Sequence, residues 1–197
     1  MEKMEKRTFD IDMRMEQRED GKRTMVGHAA VFNTETDLGR GIRERVAPGA
    51  FADSILEDDV RALFNHDANY VLGRNKAGTL TMREDEKGLA VEIDPPDTQF
   101  ARDLTVSMER GDISQMSFAF EVIRQSWEET EKYDLRTLEK VKLWDVSPVT
   151  YPAYPQTDIA VNCRDAWKLE NKQPEPYDPW REHIERDKID LTFKEVL

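Results

Sequence analysis

Apolar residues in this chain come in short runs cut by Gly, Pro, Asn or Asp, and that rhythm restricts it to a fold of many short strands. Phe9, Ile11, Met13 and Met15 alternate with Asp10, Asp12 and Arg14. A period of two predicts a half-buried strand over 8–15. Glu19-Asp20-Gly21-Lys22 then reads as a hairpin turn into a strand over 24–32. The polar, Gly-bearing stretch 33–41 reads as a loop. Further strands are predicted over 42–46, 60–64, 80–84, 89–93, about 115–126 and 135–149, with 71–74 closing the 60–64 segment and a last short strand over 159–161. Helical periodicity is confined to two places. A short helix over 51–57 follows Pro48-Gly49. A longer one over 98–110 carries Phe100, Leu104 and Met108 on one face, Asp97 or Thr98 as its cap and Gly111 as its stop. The expected fold is mainly β with flanking helices, a barrel or a sandwich.

Beyond Cys163 the pattern decays. Residues 164–197 are charged, carry Pro174, Pro176 and Pro179, and read as a linker and tail with one short helix over 180–188. The expected organisation is a domain over 1–163 and a tail over 164–197.

The 197 residues suffice for a sizeable core. A net charge of −12, with Lys and Arg interleaved among Asp and Glu, disfavours nucleic acid as the main partner. The lone Cys163 excludes an internal disulfide and a Cys-rich zinc site. No apolar run approaches the roughly 18 residues of a membrane span, and Met1-Glu2-Lys3-Met4-Glu5-Lys6 lacks the apolar core of a signal peptide. A cytoplasmic location is expected.

Chemistry concentrates around Gly111-Asp112-Ile113-Ser114-Gln115-Met116-Ser117-Phe118-Ala119-Phe120. Ser117 sits among apolar neighbours, where a buried hydroxyl needs a partner. That partner is either a backbone carbonyl or a base that makes it a nucleophile. A base requires an imidazole, and the chain has three histidines. His183 falls in the tail. His28 lies within an apolar strand and suits a structural role. His66, just past the 60–64 strand and between Asn65 and Asp67, fits either a surface loop or a site. For the group that orients the imidazole, Asp145 stands out among Leu143, Trp144 and Val146, because a carboxylate there is costly unless partnered. An Arg or Lys on a neighbouring strand would serve equally, and Asp67 is a second candidate. Asp94-Pro95-Pro96-Asp97 is better explained as a turn than as a metal site, and no HExxH, phosphate-loop, dinucleotide or EF-hand pattern occurs.

Six short motifs, in order, give the chain a resemblance to the prohead (capsid maturation) proteases of HK97-type tailed phages. They are His-Ala-Ala-Val-Phe-Asn at 28–33, Val-Ala-Pro-Gly-Ala-Phe at 46–51, Phe-Asn-His-Asp at 64–67 with Leu-Gly-Arg at 72–74, Gly88-Leu89 with Asp97-Thr98, Met-Ser-Phe-Ala-Phe at 116–120, and Asp-Val-Ser-Pro-Val-Thr-Tyr-Pro-Ala-Tyr at 145–154. The resemblance spans about 8–161. It is similar in turn to herpesvirus assembly proteases, which implies a β-barrel flanked by helices.

The resemblance implies a serine endopeptidase without a cofactor or metal. His66 would be the general base, Ser117 the nucleophile and Asp145 the orienting acid. The chain departs from the family at Gln115 and Ala119, where Gly is common, and Ser114, three residues upstream of Ser117, is the alternative nucleophile. Positions three apart on a strand face opposite sides, so only one serine can meet His66 from a regular strand. The implied substrate is the scaffolding domain of the major capsid protein, and the chain itself, inside the immature prohead in the host cytoplasm. The tail would be a capsid tether or a self-cleaved segment, and the herpesvirus likeness implies a homodimer. Two rivals stand beside this reading. One is a catalytically inactive scaffold or capsid-interaction protein with a protease-like fold. The other is a metal-dependent hydrolase using His28, His66 and Asp67.

Overall fold

A computed structural model describes residues 4–9, 13–19, 21–151, 164–165 and 167–168. The chain divides into two units, Met1–Val161 and Asn162–Leu197, and the fold described here belongs to the first. The strand expected over 159–161, the helix over 180–188, Cys163 and His183 lie outside the described residues.

Two antiparallel-rich sheets carry the fold. The larger is built on β10 (Gln115–Glu129) and β11 (Asp134–Val149), antiparallel partners along their whole length. β1 (Glu5–Phe9) flanks β10. The other edge of β11 is shared. Its first third runs parallel to β5 (Ile42–Val46), which continues to β4 (Thr36–Gly39). Its last third runs parallel to β6 (Arg61–Phe64), which turns back as β7 (Asp67–Arg74). The smaller sheet has the order β2 (Arg14–Gln17), β3 (Arg23–Val31), β9 (Gly88–Ile93), β8 (Leu80–Glu84). Helices α1 (Ala52–Glu57) and α2 (Gln99–Glu109) flank them. The mainly β fold with flanking helices is as expected, and among the described residues the pairing leaves both sheets open.

The inner faces meet in one core. Phe118 stacks on Phe120 at 4.8 Å and meets the edge of Phe51 at 5.4 Å, with Met25, Leu89 and Ile93 of the smaller sheet in the same cluster. Thr98 caps α2 through Oγ1, which accepts from Ala101 N–H at 3.3 Å, and Gly111 ends it with φ +82°.

Two sequence expectations change. The strand over 8–15 is two strands in different sheets, because β1 starts earlier and buries charge: Glu5 and Arg7 are 3% and 5% exposed. The loop over 33–41 contains β4, whose Leu38 is buried.

The charge on β1 is matched across the sheet. Arg136 of β11 is fully buried and donates to Glu5 at 2.8 and 2.9 Å, to Glu44 at 2.9 Å and to Gln125 at 2.6 Å. Arg7 donates to Glu44 at 2.5 Å and to Glu5 at 2.6 Å. Two guanidinium groups thus neutralise two carboxylates, the condition under which buried charge is tolerated.

Candidate active site

The strand period explains the unusual setting of Ser117. On β10, Met116, Phe118 and Phe120 turn to the core, so Ser117 and Ala119 turn to the other face. In the β10–β11 register Ser117 stands opposite Ser147, and Ala119 opposite Asp145. Between the pairs Ala119–Asp145 and Phe120–Leu143 the register slips, leaving Trp144 as an extra residue. This bulge lets Leu143 enter the core while Asp145, two residues on, keeps the face of Ser117.

His66 reaches that face from a two-residue turn. Asn65 and His66 have φ +54° and +58°, the left-handed pair of a type I′ hairpin, with Phe64 opposite Asp67. Asn65 suits that conformation. His66 stands where such turns favour glycine and carries a local strain that functional sites commonly hold. The turn is fastened to the end of β11. Asn65 N–H donates to the Pro148 carbonyl at 3.0 Å, Thr150 N–H donates to Asn65 Oδ1 at 2.9 Å, and Asn65 Nδ2 donates to Thr150 Oγ1 at 3.2 Å.

His66 Nε2 lies 2.7 Å from Ser117 Oγ, and Nδ1 lies 2.6 Å from Asp145 Oδ1. The same Oδ1 accepts from Ser147 Oγ at 2.7 Å. The Arg7 carbonyl of β1 accepts from Ser117 Oγ at 2.9 Å. A hydroxyl has one proton, so this carbonyl and Nε2 are alternative acceptors for it. The group is closed off: Ser117 and Ser147 are fully buried and Asp145 is 7% exposed.

The other sequence candidates go elsewhere. Ser114 precedes β10 and its carbonyl accepts from Met13 N–H at 3.2 Å. His28 pairs with Asp85 at 2.9 Å, and Asp67 accepts from Asn69 N–H at 2.9 Å. The grouping of His28, His66 and Asp67 is therefore not assembled, and among the described residues no three His, Cys, Asp or Glu side chains gather as a metal site. Sequence reasoning missed Ser147, Asn65 and the Arg7 carbonyl. Ser147 was within reach by period two from Asp145, and Asn65 by the turn preference of Asn. A main-chain carbonyl leaves no signal.

A serine, an imidazole and a carboxylate hydrogen-bonded in that order form the constellation of the serine hydrolases, which recurs on unrelated folds. The family model described as caudovirus prohead serine protease, Peptidase S78, matches residues 9–172, and the chain belongs to that family. Among solved structures, the capsid assembly protease gp21 of bacteriophage T4 is similar at 12% identity, covering 75% of this chain and 99% of that one with a TM-score of 0.45. A search of curated proteins finds no match. Among the described residues no helix is long and apolar enough to cross a membrane.

Proposed function

We propose that this chain is a serine endopeptidase of prohead maturation, with Ser117 as nucleophile, His66 as general base and Asp145 as the group that orients it. The observation that carries this is the placement of His66 between the other two, within 2.7 Å of each. Asp145 accepts Nδ1–H, which leaves the Nε2 lone pair for the Ser117 proton. As Oγ bonds to the scissile carbonyl carbon, that proton passes to Nε2. As the C–N bond breaks, the imidazolium returns it to the departing amine. Water then enters by the same route, giving up a proton to Nε2 as it bonds to the acyl carbon, and the imidazolium returns that proton to Ser117 Oγ as the acyl–oxygen bond breaks.

Family membership supports the substrate class: the scaffolding domain of the major capsid protein, cut inside the immature prohead in the host cytoplasm. In the same reading the two sheets correspond to a herpesvirus-protease-like barrel that pairs as a homodimer. Residues 1–163 are the protease domain, and 164–197 a tether or a segment the enzyme removes from itself.

One observation favours the rival, an inactive capsid-interaction protein: Ser117 has no solvent exposure. Intact-mass spectrometry separates the two. Wild type, Ser117→Ala, Ser114→Ala and His66→Ala are each incubated with the capsid precursor made alongside them. The protease reading expects trimming by wild type and Ser114→Ala and none by the other two. Loss in Ser114→Ala alone would move the nucleophile. Equal masses throughout, under conditions where capsids mature, would leave only the scaffold.

A further inference from the structure

We infer that Ser147 is a positioning residue of this site, acting through Asp145; the inference rests on the protease reading above. Ser147 is fully buried, and its hydroxyl donates to Asp145 Oδ1 at 2.7 Å, the oxygen that also meets His66 Nδ1. It lies two residues from Asp145 on one face of β11 and directly opposite Ser117 in the register. One pair of strands therefore fixes nucleophile, acid and donor together, and only His66 arrives from elsewhere.

The donated hydrogen bond has two effects. It gives a buried Asp145 oxygen a hydrogen-bond donor at a position where water has little access. It also holds Oδ1 toward Nδ1, so that Nδ1 keeps its proton and Nε2 stays the acceptor for Ser117. Among the described residues no charged side chain is bonded to Asp145 in place of Ser147. Arg61, opposite Asp145 on β6, directs its guanidinium to Asp59, at 2.6 Å to the carbonyl and 3.1 Å to the carboxylate. Arg7 on β1 commits its guanidinium to Glu5 and Glu44. Ala119 on β10 offers no polar group.

Without the Ser147 donor, Oδ1 of Asp145 is free to turn from Nδ1, and the imidazole loses the orientation that presents Nε2 to Ser117 Oγ. Ser147 is fully buried and offers no surface to a substrate, so the expected loss falls on kcat rather than KM.

The test compares wild type, Ser147→Ala and Ser147→Thr on the capsid precursor, and follows the low-field imidazole proton of His66 by NMR in each. Expected for Ser147→Ala are a kcat about tenfold lower, from the loss of one charge-assisted hydrogen bond, an unchanged KM and a shifted, faster-exchanging His66 proton. Ser147→Thr, which keeps the hydroxyl, recovers all of these. An unchanged kcat and an unmoved His66 proton in Ser147→Ala, beside an active wild type, would overturn the inference and leave the protease reading standing. Were wild type inactive, the protease reading falls and the NMR decides alone: a His66 proton identical in wild type and Ser147→Ala overturns the positioning role, and one displaced by Ala but restored by Thr sustains it.

Discussion

The Arg7 carbonyl accepts from Ser117 Oγ at 2.9 Å, while the guanidinium of the same residue is bonded to Glu5 and Glu44. One residue of β1 thus touches the nucleophile and anchors its strand. Arg7→Ala leaves Glu5, Glu44 and Arg136 with an uncompensated buried negative charge, and we expect it to cost about 3–5 kcal/mol. Urea denaturation checks this as a fall in midpoint at constant slope. Arg7→Met combined with Glu44→Gln, neutral as a pair, should lose less than the sum of its single changes.

The Asn65–His66 turn predicts an ordered series. Asn65→Gly keeps the left-handed backbone but removes both side-chain bonds to Thr150, at an expected cost of about 1 kcal/mol. Asn65→Ala also forces a Cβ residue with no local side-chain bond into that region, and should cost about 1 kcal/mol more. Both variants should lower kcat, because the turn carries His66. Denaturation curves beside cleavage rates give the order directly, and an Ala variant as stable as the Gly one would contradict it.

The acid limit of the fold should be set by carboxylates held down by partners. Burial pushes the Glu5 carboxyl up, but the hydrogen bond and charge of Arg136, with those of Arg7, outweigh it and hold Glu5 below the ordinary range. Burial likewise raises Asp85, and the hydrogen bonds from His28 and from the Gly88 and Lys87 N–H groups bring it below. Depressed carboxylates contribute stability that is complete above their unfolded value, about pH 4. It is lost as pH falls through the folded value. Stability should therefore hold near neutrality and drop below about pH 4. Asp85→Asn should flatten that slope in denaturation series run from neutral to acid.

At Gly88 the backbone of β3 lies hard against β9. A Cβ there would lie 1.9 Å from the Ala30 carbonyl oxygen. Backbone cannot yield that far, so Gly88→Ala should destabilise by about 3 kcal/mol or more. Gly41→Ala tests a different cost. Nothing lies within 4 Å of its would-be Cβ, and its φ of +73° alone should cost about 1 kcal/mol.

Much of this was legible in the sequence because the strands obey period two. β3, β5, β6, β8, β9, β10 and β11 and both helices lie close to where apolar spacing puts them. What escaped was polar burial. Glu5 and Arg7 precede the apolar alternation that marks the first strand, and pairing with Glu44 and Arg136, far along the chain, is what holds them inside. Asp145 stood out because a carboxylate among apolar neighbours demands a partner. The identity of that partner, His66 rather than Arg61, depended on a bulge at Trp144 and a left-handed turn at Asn65 that spacing does not encode.

The full burial of Ser117 has a temporal meaning under the protease reading. A sealed nucleophile acts only during the fraction of time the fold stands open, so the observed rate is the intrinsic rate multiplied by that fraction. An opening cost of about 3 kcal/mol would leave roughly one molecule in a hundred competent at any moment. Under that reading cleavage by the enzyme is slowed by the fraction of time that Ser117 stays covered. A shell assembled around it would have that interval in which to close before its own scaffold is cut.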